Sequence, residues 1–160
     1  MLTYSTLSIR HVRVLALGTA IACITGLSAC KKHDDFRKEM KVRASLSGSQ
    51  EVPPNNSPGT AKLKGTYNCK TNVIDYDLSW EKITGPPIAM HFHGPATPGQ
   101  NAPVEIPITG FPMNATGSLS AKDTLTEDQE DDLLAGRYYV NIHTKLYPGG
   151  EIRGQVSVKH

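Results

Sequence analysis

Long apolar runs are almost missing from this 160-residue chain. The one stretch that is nearly all apolar and small, Val14 to Leu27, is shorter than the ~20 residues a membrane-spanning helix needs. Neither sign of charge dominates. The net charge of +2 is too small to imply nucleic acid as a partner. Cysteine is scarce, with three in the chain. Cys23 and Cys30 fall at the N-terminal apolar stretch, which leaves Cys69 alone in the body of the protein. A lone cysteine closes no internal disulfide, so no disulfide framework is expected. Cys69 lies on the apolar parity of its strand and is expected as an inert buried thiol. No Gly-x-Ser-x-Gly elbow occurs, and no glycine-rich loop precedes a helix to cradle phosphate. These absences count against nucleophilic catalysis and phosphate transfer.

What is present begins with an address. Arg10, His11 and Arg13 form a basic flank ahead of the apolar run, the layout of an export signal. The run closes on Leu27-Ser28-Ala29-Cys30, which resembles the lipobox of bacterial lipoproteins. That resemblance implies removal of residues 1–29 and acylation of Cys30. A signal peptide cut nearby, or an anchor that stays, are the alternatives. Residues 30–39 then form a lipidated cysteine and a charged tether, and residues 40–160 a domain. The implied place is the bacterial cell envelope, as an outer-membrane lipoprotein facing the periplasm or the cell surface. Its membrane contact would be the lipid anchor. Arg10 and Arg13 leave with the signal, so the mature domain has as many basic as acidic residues.

The domain reads as β structure. Glycine and proline number 14 and 11, scattered between short apolar runs. Lys41 to Leu46 alternates with period two, as a half-buried strand does. Gly48 to Pro58 is turn material. Gly59 to Cys69 and Val73 to Trp80 alternate around Lys70-Thr71-Asn72 and predict a hairpin. Asp75 and Asp77 fall on its solvated face, with lysines as cross-strand partners. Ile88, Met90 and Phe92 share the inward face of the next strand. Val104 to Ile108 and Ala115 to Ala121 follow. Leu125 to Gly136 breaks the period. Thr126 with Gln129 forms a capping box, and acidic residues load the first turns of one short helix exposed on its acidic side. Arg137 to His143 and Glu151 to Val158 complete about seven to nine strands. The expected fold is all-β: an antiparallel Greek-key sandwich or barrel, immunoglobulin-like or superoxide-dismutase-like, with one short helix.

Several motifs carry a family resemblance. They are Leu46-Ser47-Gly48 with Gln50-Glu51-Val52-Pro53-Pro54, and Gly59-Thr60-Ala61. The Trp80 strand follows, then His91-Phe92-His93-Gly94-Pro95-Ala96 and Tyr139-Val140-Asn141-Ile142-His143-Thr144. The last is Pro148-Gly149-Gly150-Glu151-Ile152-Arg153-Gly154-Gln155. In order and spacing they resemble the CHRD domain over residues 40–158. The resemblance implies an all-β fold and, for bacterial members, an extracytoplasmic place without a settled activity. The lipobox, the single domain and the absence of a catalytic constellation make a binding or interaction module, with a protein or glycan as ligand, the expected function.

The histidines admit two readings. His91 and His93 point to one side of their strand, away from Met90 and Phe92. His143 also points away from its own core face. If the two strands are neighbours, three imidazoles converge as they do around copper or zinc. The His-x-His strand is similar to Cu/Zn superoxide dismutase, but a fourth copper histidine and a second, zinc set are missing, so dismutase activity is not expected. The other reading is structural. Glu151 or Asn141 holds His143, Arg153 pairs with Glu151, and the rings fix loops.

Overall fold

The computed structural model describes residues 39–159. The export segment, Cys30 and the tether fall outside them, apart from Glu39. Alternation builds the first three strands. β1 (Glu39–Ser47) buries Met40, Val42, Ala44 and Leu46. β2 (Thr60–Asn68) runs antiparallel to it and buries Ala61, Leu63 and Tyr67. β3 (Val73–Glu81) returns through the expected hairpin, with Leu63 opposite Leu78 and Ala61 opposite Trp80. Asn72 turns the corner at φ 55, a left-handed conformation that asparagine tolerates. Trp80 is buried, and its Nε1–H donates to the Asn114 carbonyl at 2.9 Å. Asp75 pairs with Lys122 on a later strand at 2.6 Å, not with a lysine of its hairpin partner.

Six more strands and one helix follow. They are β4 (Pro87–His93), β5 (Val104–Ile108), β6 (Gly117–Thr124), α1 (Glu127–Leu134), β7 (Tyr139–Thr144), β8 (Ile152–Gln155) and β9 (Ser157–Lys159). The strand order is β5-β4-β7-β8-β1-β2-β3-β6, with β9 added against β1. All the described pairings are antiparallel. The sheet curls into a nearly closed, barrel-like form around one core. Tyr76 of β3 and Phe92 of β4 stand far apart in strand order. Their rings nevertheless meet edge to face across the interior at 5.2 Å. This is the expected all-β class, with its one short helix.

Several expectations are corrected. Ile88 is 51% exposed rather than inward. The register between β4 and β7 shifts between Pro87 and Ala89, so the inward parity starts at Met90. β6 begins at Gly117, two residues later than read. The last strand divides around Val156, whose N–H leaves the ladder for the Tyr138 carbonyl. Cys69 is half-buried rather than buried, and its Sγ lies 3.7 Å from Met40 Sδ. α1 starts at the Thr126–Gln129 capping box and buries Leu133, as its pattern dictates. Its acidic side is not wholly solvated, however. Glu130 is buried, and its carboxylate adds to burial in pushing the Tyr67 hydroxyl up.

Candidate metal centre

β4 and β7 are hydrogen-bonded neighbours. Their register sets His91 opposite Asn141, His93 opposite Tyr139 and Ala89 opposite His143. Opposed residues share a face, so the three histidines, Asn141 and Tyr139 stand together on the side away from the core. Every residue of β7 is buried. The even positions enter the barrel, and the odd ones lie under the loops that follow β4 and β7. His93 and His143 are 7% and 8% exposed, and His91 is half-buried.

The loops fix the rings. His93 Nδ1 lies 3.0 Å from the Ala102 carbonyl, and His143 Nδ1 lies 2.9 Å from the Pro148 carbonyl. A carbonyl only accepts, so each Nδ1 carries the hydrogen. The neutral tautomer then leaves a bare lone pair on each Nε2. Both Nε2 atoms face Asn141 Oδ1, at 3.1 Å for His93 and 3.0 Å for His143. His91 Nδ1 approaches His143 Nε2 at 3.2 Å. One ligand nitrogen from each ring falls within 4.8 Å of the others. Two imidazoles presenting bare nitrogens, each anchored through its other nitrogen by a backbone carbonyl, is how proteins orient metal-binding histidines. Metal–nitrogen bonds of about 2.0–2.1 Å hold two ligand nitrogens at most about 4.2 Å apart, so rings spread over 4.8 Å draw together by a few tenths of an ångström on binding one ion.

The surroundings keep the rings unprotonated. Burial lowers the His91 pKa below its usual value, and the neighbouring charges of His143 and His93 lower it further. Burial also lowers His143, with His93 adding to it and the Pro148 carbonyl opposing. Both rings are therefore neutral, and able to ligate, at neutral pH. The same contacts also form a closed hydrogen-bond network if the Asn141 amide is turned so that its NH₂ donates to both Nε2 atoms. Oxygen and nitrogen of an amide are distinguished only by such a network.

The other predicted residues divide. Asn141 lies against His143, with its Oδ1 3.0 Å from Nε2. Glu151 does not. It precedes β8 at a bend after Gly150, which is at φ 133, so its carboxylate turns away from the imidazoles. There it accepts from Ser57 Oγ (2.6 Å), the Thr84 N–H and hydroxyl (2.8 Å each) and the Thr144 hydroxyl. Arg153 does not pair with Glu151 either. Its guanidinium lies 3.4 Å above the Tyr139 ring and donates to Asn101 Oδ1 at 3.0 Å and to the Gln100 carbonyl. Tyr139, which the sequence reading did not single out, stacks on His93 with centroids 4.7 Å apart. Its parity with Asn141 and His143 was the available signal. The burial of Glu51, inside a stretch read as turn, had no local signal.

No curated protein and no solved structure matches this chain. The family model of the CHRD domain matches residues 42–156, most of the chain and every strand of the site, so this protein belongs to the CHRD domain family.

Proposed function

We propose that this protein is a binding module rather than a catalyst, held in the bacterial envelope by lipid on Cys30. Its ligand on the β4–β7 face is a copper or zinc ion. The ion is bound by His91 Nδ1, His93 Nε2 and His143 Nε2. The observation that carries this reading is the convergence of three imidazole nitrogens within 4.8 Å, two of them stripped of hydrogen by the carbonyls behind them. Such nitrogen-only donors suit zinc and copper better than calcium or magnesium, which prefer oxygen. The loop-fixing role of the Nδ1 atoms is compatible with this and persists in the metal-free protein.

Titration of the full-length chain in detergent with Cu(II) and with Zn(II) tests it. One ion per chain is expected, with nitrogen hyperfine structure in the copper EPR spectrum. The His91→Ala/His143→Ala double variant should lose stoichiometric binding while keeping its β circular dichroism. Failure of the wild type to bind either ion, or equal binding by the double variant, would defeat the metal assignment.

The anchor rests on Leu27-Ser28-Ala29-Cys30 and has its own test. Cys30→Ala should move the protein from the detergent fraction to the soluble one, and the wild-type N-terminal peptide should carry acyl mass. A wild-type Cys30 bonded to Cys69 instead of lipid would overturn the anchor and leave the metal reading intact.

A further inference from the structure

Beside the histidine face lies a second concavity that the metal reading does not use. It is a cleft of about 380 Å³ between the turn after β1 and the loop after β4. Glu51 and Arg153 form its floor, and Val52, Pro54 and Pro98 its apolar wall. We propose that this cleft binds a small organic carboxylate with an apolar body, through the Glu51 carboxyl and the Arg153 guanidinium.

Glu51 is 6% exposed, and its buried Oε1 has no hydrogen-bond partner. Unpartnered buried polar atoms are rare in folded proteins and call for an explanation. Arg153 does not satisfy this oxygen, because its hydrogen bonds run to Asn101 and Gln100 and its flat face rests on Tyr139. The fold also makes room for the carboxyl. A Cβ on Gly150 would stand 2.5 Å from Glu51 Oε1, and Gly150 is at φ 133, so glycine suits this position twice over. A carboxyl and a guanidinium at one floor, near each other but with the guanidinium bonded to Asn101 and Gln100, are complementary to an incoming carboxylate. The acid donates its O–H, and the guanidinium supplies the opposite charge. A cation gains nothing from Arg153. A neutral amide gains no ionic attraction. The Val52, Pro54 and Pro98 wall suits an aliphatic or aromatic body.

Protonation follows from the surroundings of Glu51. Burial raises its pKa to about 7, against the lowering effects of the Arg153 charge and the Val52 N–H. The Gly150 backbone that abuts it and the other lining residues, Ser49, Gln50, Gly99 and Gln155, are uncharged. A carboxylate ligand favours the protonated acid, so binding takes up a proton and weakens as pH rises through 7.

Sodium benzoate serves as the probe, being ionised throughout this range, with benzamide as its uncharged counterpart. Calorimetric titration of the full-length chain in detergent at pH 6 and pH 8 is the experiment. Benzoate should bind at pH 6 and lose about tenfold in affinity by pH 8, as one proton linked to a pKa near 7 requires. Benzamide should bind at least tenfold more weakly at pH 6. Glu51→Gln keeps the shape and a donor, and should abolish the pH dependence. Absence of benzoate binding at pH 6, equal binding of benzamide, or an unchanged pH dependence in Glu51→Gln would each overturn the proposal. The wild-type comparisons need no variant to fold. They involve no metal, so they stand or fall apart from the histidine site.

Discussion

Glu151→Ala destabilises the domain by about 3–5 kcal/mol in denaturant unfolding. Each buried polar group left without a partner costs about 1–3 kcal/mol, and this substitution strands several. Glu151 is fully buried, and it gathers Ser57 from the segment before β2, Thr84 from the segment before β4 and Thr144 from the end of β7. The hydroxyls can rotate to seek other acceptors. The Thr84 N–H cannot, because the backbone holds it. Three segments distant in sequence therefore lose their common acceptor at once. Glu151→Gln, which keeps the volume but sets an NH₂ among donors, should fall between the wild type and the alanine variant. A loss below about 1 kcal/mol for Glu151→Ala would show that the network relaxes and that Glu151 is not the tie between these segments.

Asn141→Leu separates the two roles of the histidine face. In metal-free protein it removes the partner of two buried ring nitrogens, His93 Nε2 and His143 Nε2. A loss of about 2–4 kcal/mol is expected, measured as the unfolding free energy in the presence of a chelator. Free copper at a thousandfold excess over its Kd should then add about 4 kcal/mol, in the wild type and in the variant alike, because the ion binds only the folded state. A metal that stabilises neither protein would leave a hydrogen-bond network and no site. Acid should act in a defined direction. The His91 and His143 pKa values lie below the ordinary 6.5 in the folded protein, so the unfolded chain binds more protons across that interval. Their contribution is complete above pH 6.5 and is lost as pH falls through the depressed values. Stability of the metal-free protein should therefore decline from pH 7.5 to pH 5.5. The decline should steepen with metal bound, since ligation requires neutral rings.

Much of this was legible along the chain. The hairpin of β2 and β3 followed from strict alternation with a turn-forming Asn72. Helix α1 followed from Thr126 and Gln129. That His91 and His93 share a face is a matter of period two. The reading of Ile88 failed because alternation says nothing about where a bulge resets parity. Glu130 was assigned to solvent because a run of acids looks solvated when the strand that covers it, bearing Tyr67, is some sixty positions away. The pairing of Glu151 with Arg153 was read with both residues on one strand, Glu151 to Val158. It failed because Gly150 turns the chain, and Glu151 lies outside the strand whose periodicity the argument assumed.

The sequence by itself determined the β class, the capped helix and the side of its own strand on which each histidine stands. These depend on local periods and on side chains bonding their near neighbours. Tertiary structure alone decided that β4 and β7 lie side by side, that the Ala102 and Pro148 carbonyls select the histidine tautomers, and that Glu51 is buried beside Arg153. Each of these is a contact between segments far apart in the chain. Such contacts depend on how the sheet closes around its core, and no local period encodes that closure.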